Sequence, residues 1–189
     1  MSTLPMIIDS EWLETRDACK SDYDAFCAEW PNGAEVSILN LNRASELKVD
    51  LEWLAQKMLP RALYDDYEAK YKPIYDDYYA KRLPIIAEYD AKRAPIKADY
   101  HAKCAPFTDE YYAKRALFNN GNLKTHYPIT VEYEAELEPF TAEYEAKCAP
   151  LSDEFEAKCA PLTTDYESKR DSLLISAITA YYESEGYKI

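Results

Sequence analysis

The stretch PIIAEYDAKRAPIKADYHAKCA, residues 84–105, decides the fold of this 189-residue chain, because it contains the same 11-residue unit twice. Each unit reads Pro, an apolar residue, a short mostly polar stretch, Tyr, any residue, Ala, Lys, Arg or Cys, and a small residue. Tyr recurs every 11 residues over 67–111, and the same spacing continues over 133–166, with Phe155 in one place. Prolines follow the same period. The chain is therefore a tandem-repeat protein over most of its length.

The repeat unit has the periodicity of an α-helix. Eleven residues make three helical turns plus about 20°. The apolar residue after each Pro, the Tyr four residues later and the Arg or Cys four residues after that lie on one stripe, as Ile85, Tyr89 and Arg93 show. Acidic and basic residues at i,i+4 add ion pairs in the favourable order; these are Glu88 with Lys92, Asp99 with Lys103, and Glu154 with Lys158. The pattern predicts an all-α fold.

The prolines leave two ways of building that fold. A proline inside a helix removes one hydrogen bond and costs about 3 kcal/mol. Each proline therefore either begins a new short helix or bends one continuous helix. Reversing the chain requires turn residues, and the stretch 61–118 contains no Gly, Asn or Ser. We therefore expect continuous, Pro-kinked helical arms.

Two arms are predicted, a first over 61–118 and a second over 129–189, joined by a turn at 119–128. Asn119, Asn120, Gly121 and Asn122 form the strongest turn signal in the chain. Arms of similar length around a short turn indicate an antiparallel, coiled-coil-like hairpin. Pairing of the arms between subunits of a homo-oligomer remains the alternative.

The N-terminal segment, 1–60, does not repeat and is expected to form a small helical module packed on the base of the hairpin. Ser10 can cap a helix that runs to Trp30, and Pro31-Asn32-Gly33 can end it. One face of that helix carries Trp12, Cys19, Tyr23, Phe26 and Trp30. Ser37 and Asp50 can cap two further helices, over 38–47 and 51–59. A helix-turn-helix DNA reader over 38–59 is disfavoured because the region has no basic cluster.

Composition narrows the class of protein. A formal net charge of -13 disfavours direct binding to nucleic-acid backbone. No run of apolar residues is long enough to span a membrane, and residues 1–8 lack the features of a signal peptide, so a cytoplasmic location is expected. Three glycines in the whole chain argue against a nucleotide-binding α/β fold.

No catalytic, cofactor or metal site is predicted, and we expect a protein that is not an enzyme. The chain has no Gly-rich phosphate loop, and its two histidines, His101 and His126, have no partner at ligand spacing. Three cysteines, Cys104, Cys148 and Cys159, occupy the repeat position that elsewhere holds Arg. A position that accepts both residue types is expected to face a groove between helices and to hold reduced thiols.

Side chains that depart from the repeat are the candidates for binding a partner. Tyr is enriched at protein interfaces, and Tyr75, Tyr79 and Tyr112 are additional to the periodic series. The alternative for the periodic tyrosines is that they hold one arm against the other. The candidate binding residues also include three basic side chains that could converge on a ligand from one arm, namely Arg82, Arg93 and Arg115.

The chain also resembles a group of phage-encoded proteins in which a short helical module precedes tandem Tyr-x-Ala-Lys-x-Ala-Pro repeats. The matching pieces are Ala18-Cys19, Phe26, Pro31-Asn32-Gly33, Glu52-Trp53-Leu54-Ala55, and the stretch from Tyr89 to Pro95. The group has no established activity. What the resemblance implies is an origin, as a phage or prophage accessory protein, and with it a location in the cytoplasm of an infected bacterial host.

Four functions are compatible with these features. The leading hypothesis is a non-enzymatic protein that binds a host or phage protein along its arms, with inhibition of a host defence system as a natural role. The second is an acidic DNA mimic, because residues 129–189 carry 14 acidic and 5 basic side chains. The third is a sponge for a nucleotide signal, and the fourth is a structural spacer or virion component.

Overall fold

The computed structural model describes residues 6–117 and 126–189, and within them the chain is all-α apart from one short pair of strands. The elements in chain order are β1 (Ile7–Ile8), α1 (Ser10–Glu14), α2 (Lys20–Glu29), β2 (Ala34–Glu35), α3 (Ile38–Glu46), α4 (Leu51–Met58), α5 (Arg61–Leu117) and α6 (His126–Ser184). The strands β1 and β2 pair antiparallel. Helices α5 and α6 pack closely as a hairpin-like pair, which confirms the predicted fold class.

Both long helices continue through their prolines, as expected for unbroken arms. Helix α5 has 57 residues and α6 has 59. Every proline of the two helices whose side chain the structure describes is exposed, and an exposed Ala stands four residues before it; these prolines are Pro73, Pro84, Pro95, Pro106, Pro139, Pro150 and Pro161. A helical proline leaves the carbonyl four residues earlier without its N–H partner. Because that carbonyl lies on the solvent side here, beside a small side chain, water can replace the lost hydrogen bond.

The predicted turn lies mostly outside the described residues, which include none of 118–125. Helix α6 begins at His126, so residues 126–128, which the sequence assigned to the turn, are helical.

The prediction of one helix from Ser10 to Trp30 is wrong. The segment contains two helices, α1 and α2, and the cap of α1 is Asp9, whose carboxylate accepts a hydrogen bond from the Trp12 N–H. Asp17 has φ 59° and Ala18 N–H donates to the Leu13 carbonyl, which is how a left-handed residue ends a helix. Asp tolerates that conformation better than most residues, so it substitutes here for glycine.

The other two N-terminal helices begin where the capping signals place them. The Ser37 hydroxyl accepts from Asn40 N–H at the start of α3, and the Asp50 carboxylate accepts from Trp53 N–H at the start of α4. Helix α3 ends at Glu46 and α4 at Met58, each one residue short of the predicted end. An oxygen-bearing side chain at the cap satisfies one of the N–H groups that the first turn leaves open, which explains the agreement.

The chain divides into two compact units, which are described separately. Unit 1 comprises Met1–Tyr78 and Thr163–Ile189, and unit 2 comprises Tyr79–Leu162. Unit 1 has a hydrophobic core in which the N-terminal elements pack against α5 and α6; its largest fully buried side chains are Tyr67, Tyr182, Leu51, Leu174 and Ile178. Unit 2 contains repeat units of α5 and α6 side by side, with Cys104 and Cys159 buried between mostly half-buried neighbours.

Candidate functional site

The periodic aromatic rings hold α5 against α6 in unit 2. Ring centroids are 5.0 Å apart for Tyr89 and Phe155, 5.0 Å for Tyr100 and Tyr144, and 4.5 Å for Tyr111 and Tyr133. Each step of one repeat unit forward along α5 is matched by a step of one repeat unit back along α6. We call this surface of contact between the repeat units of the two helices the seam. The periodic tyrosines are therefore structural.

Hydroxyl groups in the seam follow the same register. The Tyr100 hydroxyl lies 3.4 Å from the Thr141 hydroxyl, and Tyr133 and Thr108 pair at 3.1 Å. The Tyr89 hydroxyl likewise lies 3.4 Å from the Ser152 hydroxyl, one repeat unit further along both helices. Short hydroxyl side chains of the facing helix therefore pair with the polar ends of these seam rings.

Arg93 is part of the seam and does not project toward solvent. Its Nε donates to the Tyr144 hydroxyl at 3.0 Å, and its guanidinium carbon lies 6.0 Å from the Tyr89 ring centre and 5.8 Å from that of Tyr144. The Tyr144 contact raises the pKa of Arg93, which therefore stays charged. Arg82 is half-buried with its Nε atom covered, whereas Arg115 is exposed.

Two groups of four charges flank the seam of unit 2. In the first group, two ion pairs cross the seam, Glu88 with Lys158 at 2.7 Å and Glu154 with Lys92 at 2.8 Å. Each of these lysines also binds the acidic residue four positions before it in its own helix. The predicted i,i+4 pairs are confirmed, and each also has a partner across the seam. The second group repeats the arrangement one unit along, with Asp99, Lys103, Glu143 and Lys147.

These charge groups predict a loss of stability in acid. Hydrogen bonds from Lys158 and Lys92 lower the pKa of Glu88 from 4.5 to about 2. A carboxyl whose pKa is lower in the folded state stabilises the fold above its unfolded pKa, so the contribution is complete above about pH 4.5 and disappears as the pH falls toward 2. In urea unfolding at stepped pH, the stability gap between the native protein and Glu88→Gln should narrow from pH 6 to pH 3.

The control for this acid effect is Glu145→Gln, which removes an exposed carboxylate of α6 outside the charge groups. Its unfolding midpoint should differ little from that of the native protein at any pH. A gap for Glu88→Gln that stays constant down to pH 3 would contradict the assignment. Sodium chloride at 1 M should also narrow the gap at pH 7, because these side chains are partly exposed and salt screens them.

Large apolar side chains remain on the outer side of α5 in unit 2. Tyr79, Leu83 and Tyr112 are 38%, 58% and 59% exposed. Tyr79 and Leu83 are one helical turn apart. Sequence reasoning overlooked Leu83, although a signal exists: it stands where the following units end in Ala94, Ala105 and Ala116.

Tyr75, the third additional tyrosine, belongs to unit 1 and has a different environment. It is 39% exposed, and its ring contacts those of Tyr71 and Tyr166 at centroid distances of 5.9 and 6.5 Å. Part of this side chain therefore supports the contact between α5 and α6 in unit 1.

Acidic side chains mark the outer side of α6 in unit 2. Glu134, Glu145 and Glu156 each follow a seam ring, recur with the period of the repeat and are exposed. The basic residues Lys147 and Lys158, which interrupt the acidic pattern in the sequence, lie in the charge groups beside the seam. A row of carboxylates spaced about 16 Å apart along the helix is thus separate from the lysines.

No group of three or more metal-ligating side chains occurs among residues 6–117 and 126–189. Over the same ranges no helix combines the length and the apolar character needed to cross a bilayer. In comparisons with known proteins, no family model matches the chain, and neither a similar curated protein nor a similar solved structure was found.

Proposed function

We propose that this chain is a non-enzymatic accessory protein of a phage or prophage, which binds a protein partner through the outer side of α5 and so inhibits a host defence system. The observation that supports partner binding is the exposure of Tyr79, Leu83 and Tyr112 on a helix whose periodic tyrosines are used in the seam. The proposed origin rests on the resemblance of the repeats to phage-encoded proteins.

The chemistry of the outer side of α5 suits an interface. Tyr offers a large ring with a polar end at a low entropic cost, and Tyr and Arg dominate the residues that carry binding energy. Arg115 follows Tyr112 by about one helical turn and is exposed, so both lie on one side of the helix. Leu83 adds an apolar contact beside Tyr79. These residues form the surface on which we expect the partner to bind.

The nucleotide sponge gains less support. It requires arginines that converge on an open pocket, and Arg93 is already bound to Tyr144 in the seam. Arg82 is half-buried beside the same contact surface. Releasing the Arg93 guanidinium would break contacts that hold α5 to α6, which makes Arg93 a poor ligand for a phosphate.

The acidic row of α6 supports the DNA mimic as a second candidate. Glu134, Glu145 and Glu156 stand clear of the lysines, so a DNA-binding protein could meet carboxylates without an intervening positive charge. This partner would contact the outer side of α6 and not that of α5. The two candidates therefore predict different sensitive residues.

The test is partner capture with variants of the outer sides of the two helices. Purified protein captures its partner from a host lysate, the partner is identified by mass spectrometry, and binding is then measured with both proteins pure. We expect the triple variant Tyr79→Ala, Leu83→Ala, Tyr112→Ala to weaken affinity at least 30-fold, as loss of a residue worth about 2 kcal/mol does. Circular dichroism should show unchanged helicity.

The control for capture is Val131→Ala, which trims an exposed apolar side chain of α6 and should leave affinity unchanged. Affinity that survives the triple variant would overturn the proposal for α5. The triple variant Glu134→Gln, Glu145→Gln, Glu156→Gln tests the DNA mimic. If this variant abolishes capture instead, and duplex DNA displaces the partner, the DNA mimic is the better account of the function. A partner that holds DNA and this protein at once excludes the mimic.

A further inference from the structure

Unit 1 contains a cavity between the first turns of α5 and the last turns of α6. Its volume is about 410 Å³, within the range of small-molecule sites. Leu63 and Leu173 provide apolar walls, and Ala177 and Ala180 leave the space open because their side chains are small. The cavity lies outside the repeat surface assigned to the protein partner.

The hydroxyl groups of the cavity are already used by the protein. Ser176 donates to the carbonyl of Ser172 at 2.8 Å, and Ser184 donates to that of Tyr181 at 2.7 Å. Each proton is thus directed to the backbone of its own helix. For a bound molecule that needs a hydrogen-bond donor, this wall of α6 is close to apolar.

Lys70 is the basic side chain of the cavity. It binds Asp66 at 2.6 Å, and the two side chains are 60% and 59% exposed. Exposed ion pairs of this kind contribute little to stability, because water screens both charges. The ammonium group can therefore bind a second anion, or exchange Asp66 for it, at little cost in stability.

Tyr67 closes the inner wall of the cavity. It lines the cavity and is 1% exposed, and within the described part of the chain its hydroxyl has no hydrogen-bond partner. The hydroxyl oxygen is itself fully covered, so a molecule in the cavity meets this wall as apolar surface.

We propose that the cavity binds a small, mostly apolar molecule with a single anionic group. The apolar body would lie on Leu63, Leu173 and Ala177, and the anion would bind Lys70. Molecules with several negative charges, such as nucleotides, fit less well because Asp66 stands beside the cation. The inference is independent of the proposed protein partner.

The test uses 8-anilinonaphthalene-1-sulfonate, a flat aromatic monoanion, titrated into the full-length protein with fluorescence and calorimetry. We expect saturable binding at one site. Filling the cavity with Ala177→Leu should weaken binding at least tenfold, whereas Ala157→Leu, the same change at an exposed position of α6 in unit 2, should have no effect. Should Ala177→Leu fail to fold, Ala180→Leu fills the cavity from its edge.

The anionic contact is tested separately with Lys70→Gln. This variant should bind the sulfonate at least fivefold more weakly and bind the neutral probe N-phenyl-1-naphthylamine as well as the native protein does. An equal loss for both probes would overturn the role of Lys70. Absence of saturable binding, or binding that survives both cavity-filling variants, would overturn the site. The triple variant of Tyr79, Leu83 and Tyr112 should bind both probes normally, which separates this result from the proposed function.

Discussion

Replacement of Tyr182 by alanine is expected to destabilise unit 1 by about 3–5 kcal/mol, the range measured for truncating large buried aromatic side chains. Tyr182 is fully buried, and its ring lies 5.6 Å from that of Tyr187, centre to centre. Burial also raises the pKa of its hydroxyl, as expected for a phenol held in an apolar core. Urea unfolding followed by circular dichroism at pH 7 measures the loss.

The matched control is Tyr112→Ala, which removes the same atoms from a side chain that is 59% exposed. Its effect should stay within about 0.5 kcal/mol, as is usual for surface positions. Similar losses for the two variants would show that burial of Tyr182 contributes little and that the core of unit 1 is held elsewhere.

Gly33→Ala is expected to cost about 3 kcal/mol and to disrupt the pairing of β1 with β2. Gly33 has φ 86°, and a β-carbon there would lie 2.9 Å from the Ile8 carbonyl oxygen and 2.9 Å from Cγ2 of Ile7. The left-handed backbone alone costs an L-residue about 1–2 kcal/mol. The contact with Ile8 adds to this because a backbone oxygen of a paired strand cannot move aside cheaply. The free energy of unfolding, measured in urea, reports the loss.

Gly186→Ala separates the two costs. Gly186 has φ 88°, almost the same conformation, and nothing lies within 4 Å of its β-carbon position. Its substitution should cost only about 1–2 kcal/mol, the backbone penalty. If both glycines gave equal losses, the strand near Gly33 would have to relax without penalty, and the steric argument would fail.

Much of the fold follows from the amino-acid sequence, because it depends on interactions within one helix. The 11-residue period predicts the helices and the stripe of Ile85, Tyr89 and Arg93 that is half-buried in the seam. Capping by Ser37 and Asp50 predicts where α3 and α4 begin. The break between α1 and α2 was not predicted. The apolar face from Trp12 to Trp30 suggested one continuous helix, and an Asp such as Asp17 gives only a weak signal for a left-handed conformation.

The candidate surfaces were predicted only in part. The additional tyrosines, Tyr75, Tyr79 and Tyr112, are visible in the sequence as departures from the repeat, and all three are exposed. The commitment of Arg93 to Tyr144 could not be read from the chain, because the two residues are 51 positions apart. The cavity beside Ala177 likewise depends on how α5 and α6 approach each other in unit 1.

By itself, the sequence determined that this protein is a set of continuous α-helical repeats, since a period near three turns specifies which side of each helix is apolar. The tertiary structure decided which repeat of α6 meets which repeat of α5. A shift by one whole repeat unit would leave the helical pattern unchanged, so local interactions cannot choose the register. Contacts across the seam between residue types that do not recur in every unit, such as Phe107 with Phe140 and Arg93 with Tyr144, are what distinguish one register from the next.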